Sequence, residues 1–157
     1  MALIHNPQME ETVMRYRVYG DPAPQGSKNA YVRGNRAILV ESSTKVRPWR
    51  AAVIAEIQSQ PIFQFTESVG VMVTITFHMK RPKSHYGTKK GVPYVKETSP
   101  VHVKIRPDID KLCRSTLDAI TDSGLWWDDS QVSVLHVQKI YDEQPGASIE
   151  IKALEMP

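Results

Sequence analysis

The sequence holds one cysteine, Cys113, which removes any disulfide framework and any paired-cysteine zinc site and fits a reducing compartment. No apolar run approaches the roughly 20 residues that a membrane-spanning helix needs. The opening residues, Met-Ala-Leu-Ile-His-Asn-Pro, lack the charged and apolar regions of a secretory signal, so no export is expected. There is no Gly-x-Ser-x-Gly elbow, no glycine-rich phosphate loop and no His-Glu-x-x-His pair, and the five histidines are scattered. Eight glycines against eleven prolines point to stiff turns and not to a flexible linker. Membrane proteins, secreted miniproteins and the commonest hydrolase and nucleotide-binding arrangements are thereby set aside.

What remains is an ordinary globular composition, 157 residues with 41% hydrophobic and 24% charged, which suits one domain with a real core. The charge is unevenly divided along the chain. Residues 1–107 carry 16 Lys/Arg against 7 Asp/Glu, a net of +9, and residues 108–157 carry 4 against 10, a net of −6. A basic stretch attracts polyanions and a cluster of acids attracts divalent cations, although uneven surface charge alone would give the same numbers.

Residues 1–12 read as a frayed tail, with one domain over 13–157. Met14–Tyr19 alternates apolar and basic residues, the period of a half-buried strand. The segment 20–34 reads as loop, and Arg36–Glu41 as a second strand, a hairpin partner of the first. Ser42, Ser43 and Thr44 offer capping hydroxyls to a helix whose Val46, Trp49, Val53, Ile54 and Ile57 recur at three- and four-residue steps before Pro61. Val71–Met79 is the clearest strand. Lys80–Arg106 shows no period and reads as a long surface excursion. After Pro107 a second helix places Ile109, Leu112, Cys113, Leu117 and Ile120 on one side and Asp110, Arg114, Asp118 and Thr121 on the other, and Gly124 stops it. Strands over 131–141 and 147–154 follow. This order predicts an α+β domain with a mixed or antiparallel sheet and two main helices.

Carboxylates are the only candidates for chemistry. Asp108 and Asp110 open the second helix, and Asp128-Asp129 follow it after Trp126-Trp127. Acids gathered together repel one another unless a divalent cation sits among them, and Mg²⁺ suits a few carboxylates completed by water and phosphate oxygens. Each acid also has a plainer role: Asp108 as helix cap, Asp110 as partner of the helix dipole, Arg114 and Asp118 as a surface pair, Asp128-Asp129 as a solvated turn.

The string from Arg106 to Val132, R-P-D-I-D-K-L-C-R-S-T-L-D-A-I-T-D-S-G-L-W-W-D-D-S-Q-V, resembles the signature of the RusA-type Holliday-junction endonucleases. The shared pattern is a D-x-D opening a helix, a basic residue four positions on, an L-D-A-L-like helix end and a D-D-x-Q turn. The G-D-P-A-P-Q-G-S-K segment near the N-terminus is similar to the family's opening, more weakly.

The resemblance implies a RusA-like fold and a crossover junction endodeoxyribonuclease. Asp108, Asp110 and Asp129 match the catalytic, metal-binding acids, and Arg114 stands at the catalytic lysine. A guanidinium neutralises phosphate charge but does not donate a proton at neutral pH. Lys111 stands where the best-known pattern has Asn.

Mg²⁺, with Mn²⁺ as substitute, is the implied cofactor. A homodimer is the implied assembly, branched DNA the partner, and the cytoplasm of a bacterial host the setting, with phage, prophage and bacterial origins all open. Lys28, Arg47, Lys83, Lys89, Lys90 and Lys111 are the expected DNA contacts, and Trp49, Val53, Ile57 or the Val71–Met79 strand the expected dimer surface. Two alternatives stay open: a non-catalytic branched-DNA-binding accessory protein of the same fold, and a nuclease of relaxed preference for flaps and forks.

Overall fold

The structure is a computed structural model describing residues 12–26, 28–41 and 44–154, with backbone alone for 28–31 and 38–41. The expected tail falls almost wholly on residues 1–11, outside the described residues. Among the described residues eight strands and two α-helices follow in order: β1 (Val13–Tyr19), β2 (Lys28–Arg33), β3 (Arg36–Glu41), α1 (Val46–Ser59), β4 (Val71–Lys80), β5 (Tyr86–Lys89), β6 (Val92–Val95), α2 (Ile109–Ser123), β7 (Val132–Asp142) and β8 (Gly146–Ala153).

Four strands form the main sheet in the order β1-β8-β4-β7. β8 is antiparallel to both β1 and β4, whereas β4 and β7 run parallel. The parallel pair needs a crossover, and α2 supplies it. The alternation along β4 is clean: Val71, Val73, Ile75 and Phe77 are buried, and the register sets Ile149 and Ile151 of β8 beside them. Trp49, Val53 and Ile57 of α1 and Leu112, Ala119 and Ile120 of α2 join the same core. Full burial of such a side chain stabilises the fold by ~1.5–3 kcal/mol. Trp49 Nε1 donates to Thr116 Oγ1 at 3.1 Å inside this core, so the two helices are joined by a satisfied polar contact as well as by packing. Arg50 and Asp122 link them again at the surface.

Several expectations need correction. The strand over Arg36–Glu41 forms, but its partner is β2, across the Gly34-Asn35 turn, within a segment expected to be loop. The first strand, β1, pairs instead with β8. The serine caps are not the start of α1: its N-cap is Lys45, with no side-chain cap bond, and Ser42 and Ser43 lie outside the described residues. β7 and β8 are consecutive but not paired, because β4 lies between them. The excursion over 80–106 contains a small antiparallel hairpin, β5–β6, turning at Lys90-Gly91. The surfaces expected to serve a dimer are not free for it. Trp49, Val53 and Ile57 are core residues, and β4 is an inner strand.

The segment 101–103 lies along the outer side of β7. Val103 N donates to Lys139 O at 3.1 Å and Tyr141 N to Val101 O at 2.9 Å, around an isolated bridge between His102 and Ile140. It covers only the C-terminal end of that edge. Among the described residues no helix is long and apolar enough to cross a membrane.

Candidate active site

Both ends of α2 carry acids, and each end is fixed from below. At the N-terminal end Asp108 takes the N-cap position with an extended backbone (φ −68°, ψ 136°), and its carbonyl accepts from Leu112 N at 3.1 Å. Its carboxylate makes no capping bond. Instead it meets Lys111 Nζ at 3.2 Å, one turn on. Asp110 sits exposed in the first turn, where the helix dipole favours negative charge. Arg114 follows on the exposed face and forms no ion pair among the described residues, so the Arg114–Asp118 surface pair is not made.

The buried side of the same helix explains why this end is rigid. Ser115 Oγ donates to Ala23 O at 2.6 Å, and Thr116 Oγ1 donates to Leu112 O at 2.8 Å. Gln25 N donates to Lys111 O at 3.1 Å, tying the 21–26 loop to the helix. Lys139 of β7 reaches under the approach to the helix, where its Nζ donates to Ile105 O and Pro107 O, both at 2.8 Å. Cys113 faces the core. Burial, and then the charge of Asp110, push its thiol up to about 11, so it is neutral packing and no nucleophile.

At the other end Gly124 closes α2 in the left-handed conformation (φ 83°), as its position in the sequence predicts. Trp126 is buried, and its Nε1 donates to Thr121 Oγ1 at 2.7 Å. The acid pair then divides. Asp128 caps a single 3-10 turn over Asp129–Gln131: its Oδ1 accepts from Ser130 N at 2.9 Å. Hydrogen bonds from Ser130 hold its carboxyl below the ordinary range. Gln131 completes the capping box, with Oε1 accepting from Asp128 N at 3.4 Å; the same Oε1 accepts from Trp127 N at 2.8 Å, and Nε2 donates to Thr66 O and Val69 O, both at 2.9 Å. Asp129 is exposed, and although its carbonyl accepts from Val132 N, its carboxylate has no hydrogen-bond or ion-pair partner among the described residues. Of the two neighbours, Asp129 is the acid left available.

The two ends do not meet within one chain. The 15 residues of α2 span about 22 Å at 1.5 Å per residue. β7 starts beside the C-terminal end of that helix and returns to its N-terminal end, where Lys139 touches Pro107. Asp108 and Asp110 are therefore close neighbours, and Asp129 lies a helix length away. Among the described residues no three His, Cys, Asp or Glu side chains are grouped to hold a metal ion. The donors fit a hard, oxygen-seeking cation in kind, since Mg²⁺ takes one or two protein carboxylates and fills its shell with water and phosphate oxygens.

The expected DNA contacts are dispersed. Lys83, Lys89 and Lys90 are exposed on or beside the β5–β6 hairpin, with Lys90 in its turn. Every residue of β6 is exposed, and Tyr94 lies across Gly87, where any side chain would collide with its ring. The hairpin is an arm rooted by His85, whose ring meets Tyr141 edge-on at 4.9 Å between centroids. Arg47 is exposed at the start of α1, far along the chain from the arm. Lys28 opens β2, with its side chain outside the described residues. Lys111 is engaged by Asp108. Sequence reasoning missed Lys139 and Gln25, whose places depend on long-range packing; Gln131 stood in the quoted D-D-x-Q turn, but its clamping role did not show.

Exposed carboxylates at the ends of α2 and an exposed lysine-bearing hairpin make a protein equipped to handle a polyanion. The family model for endodeoxyribonuclease RusA matches residues 21–152, from just after β1 into β8, and the chain belongs to that family. The family is one of Holliday-junction endonucleases acting on branched DNA and generally dependent on a metal, which places the chain among the nucleases. It is also similar to the uncharacterized protein YqaN of Bacillus subtilis (strain 168), at 27% identity over 140 residues, covering 88% of this chain and 95% of that one.

Proposed function

We propose that the chain resolves Holliday junctions by paired, symmetric incisions, working as a homodimer with Mg²⁺ in the cytoplasm of a bacterial or phage-infected cell. Asp108, Asp110 and Asp129 are the acids of the centre in this reading. The observation that carries it is the state of the carboxylates: Asp108 occupies an N-cap position without capping, and Asp110 and Asp129 stand exposed without a protein partner. Acids placed for helix stability alone would be expected to bond the helix's free amides.

Asp108 and Asp110 would hold the cation from one end of α2, and Asp129, a helix length away within one chain, would reach it only from the second chain of the homodimer. When bound, Mg²⁺ supplies activation of the attacking water and positive charge opposite the phosphate oxygens. Arg114, on the same exposed face one turn on, offsets charge on the phosphate without donating a proton. Lys111 sets a second cation beside Asp108. The lysines of the arm, Lys83, Lys89 and Lys90, grip phosphates, and Tyr94 offers a ring to an unstacked base. Arg47 and Lys28 extend the basic surface.

A panel of labelled four-way junction, fork, flap and duplex substrates with Mg²⁺ or Mn²⁺ tests this reading. Selective cleavage of the junction supports it; equal cleavage of flaps and forks replaces it with the relaxed nuclease. Asp108→Asn, Asp110→Asn and Asp129→Asn should each abolish nicking and leave junction binding intact, and Arg114→Lys should stay active. Near-normal nicking by one of the three Asn variants removes that residue from the centre.

A further inference from the structure

We infer that Tyr94, seated over Gly87 on one face of the β5–β6 hairpin, is a stacking platform for an unpaired nucleobase, and that this contact lets the chain tell branched DNA from continuous duplex. The second half rests on the junction reading proposed above; the first stands on the hairpin alone.

The hairpin closes on the two-residue turn Lys90-Gly91, where both residues take positive φ (50° and 78°), as tight two-residue turns require. The register pairs Gly87 with Tyr94 and Lys89 with Val92, and residues directly opposite share a face. One face therefore carries the ring, Val92 and Lys89. The end of the ring fills the space over Gly87: a Cβ there would stand 2.6 Å from its Cζ and 2.7 Å from its hydroxyl oxygen. A ring laid over a cross-strand glycine stiffens a short hairpin, but that duty uses only one side of it. Tyr94 stays 50% exposed, and Val92 65%.

The charge around the ring selects its occupant. Between residues 80 and 106 eight Lys/Arg stand against one acid, Glu97, and residues 86–95 contain no acid at all. An exposed apolar face flanked by uncompensated lysines suits a polyanion that also carries flat apolar surface. Single-stranded nucleic acid has that chemistry, with phosphates for the cations and bases for the ring. A base inside a duplex is covered on both faces by its neighbours, and reaching it costs unstacking. A base at a branch point is not so covered, so the ring favours branched substrate where the lysines alone favour any DNA.

The platform is also fixed relative to α2. Lys96 N and Ser99 Oγ both donate to His85 O at 2.9 Å, and Lys96 Nζ donates to Ser84 O at 3.0 Å, which closes the base of the hairpin. Further on, Lys139 of β7 accepts from Val103 N through its carbonyl and donates to Pro107 O through its Nζ. The segment that leaves the hairpin and the approach to α2 are thus tied to one residue of the main sheet. A base caught on Tyr94 is held in a set place on the same frame as the helix.

Fluorescence anisotropy of the full chain, without divalent cations so that nothing is cut, tests this on labelled oligothymidylate, duplex and four-way junction. Tyr94→Leu keeps apolar cover on Gly87 and removes the ring. It should bind oligothymidylate and junction about tenfold more weakly, with duplex affinity and the slope of log affinity against log salt unchanged. Tyr94→Phe should retain the preference, because the ring and not the hydroxyl stacks. An iododeoxyuridine placed in the oligothymidylate should photocross-link to Tyr94. Tyr94→Leu binding as tightly as wild type overturns the platform, as does an equal loss on duplex. A lowered salt slope in Tyr94→Leu also overturns it, since the ring would then only prop the lysines in place. Loss on oligothymidylate with junction affinity intact overturns the discrimination of branched DNA and keeps the platform. Selective loss in a chain that cleaves no branched DNA supports the platform and removes the nuclease reading alone.

Discussion

Replacing Gln131 by Met removes the clamp beneath the 3-10 turn while keeping the side chain's length. In the native fold Gln131 is 8% exposed and makes three short bonds: 2.8 Å from Trp127 N, and 2.9 Å each to Thr66 O and Val69 O. A hydrogen bond of this kind contributes about 1 kcal/mol net, so Gln131→Met should cost about 3 kcal/mol, with backbone groups of the turn left unpaired. At a urea slope of about 2 kcal/mol per molar the unfolding midpoint falls by ~1.5 M. Urea titration followed by far-ultraviolet circular dichroism reads this directly, with tryptophan fluorescence as the second probe, since Trp126 is buried and Trp127 exposed beside the turn. The turn also carries Asp129, so nicking should fall further than junction affinity. A midpoint within about 0.3 M of wild type at equal slope would refute the clamp.

Asp142 tests the pH dependence. The Gln144 amide first, and His78 after it, hold its carboxyl below the ordinary range despite a small cost of desolvation. A carboxyl depressed on folding stabilises above its unfolded value and loses that contribution as pH falls through the folded one. The difference in urea midpoint between wild type and Asp142→Asn should therefore shrink below about pH 4, and a difference constant with pH would count against it. Cys113, buried and shifted to about 11, should resist a thiol-reactive dye at pH 8 and react fully in denaturant; rapid labelling of the native protein would contradict its place in the core. Neutralising Lys89 and Lys90 together should weaken junction and duplex binding alike and lower the slope of log affinity against log salt by up to about 2; an unchanged slope would move the DNA path away from the arm.

Local patterning made most elements of the fold legible. α2 shows why: an apolar stripe, a closing glycine and an opening Pro-Asp all agree, and the helix runs Ile109–Ser123 as expected. β4 was equally plain, because alternation over ten residues specifies a face as well as a strand. What the sequence left hidden was partnership. Nothing local tells β1 to pair with β8, more than 120 residues away, when β3 is nearer, and nothing local inserts β4 between β7 and β8. The hairpin over 86–95 escaped notice for a different reason. Its strands are four residues each, β6 is exposed throughout, and no buried face imposes a period of two.

The acids of the C-terminal segment show what structure adds to a motif. Ten acids over 50 residues looked like one pool of negative charge. In the fold most of the paired ones serve the scaffold: Asp122 joins α2 to Arg50, Asp128 caps its turn, Asp142 holds His78, and Glu150 pairs with Arg15 across two strands. Asp110 and Asp129 have no such duty, and Asp108 declines the cap for a lysine that moves with it on the same helix. The residues the motif singles out are thus among those the fold leaves to water. The helix dipole favours Asp110 in its first turn, but neither its carboxylate nor that of Asp129 forms an ion pair among the described residues, and Arg114, one turn on from Asp110, is equally unpaired. The same sorting bears on the basic half. Lys139, pinned under the acid-bearing end, belongs to the acidic segment, as does Lys111, which pairs with Asp108, whereas the lysines of the arm make no contact with that end among the described residues. Charge asymmetry along the chain therefore does not map onto one acidic and one basic face, and the arm, not net charge, is where the salt dependence of DNA binding should reside.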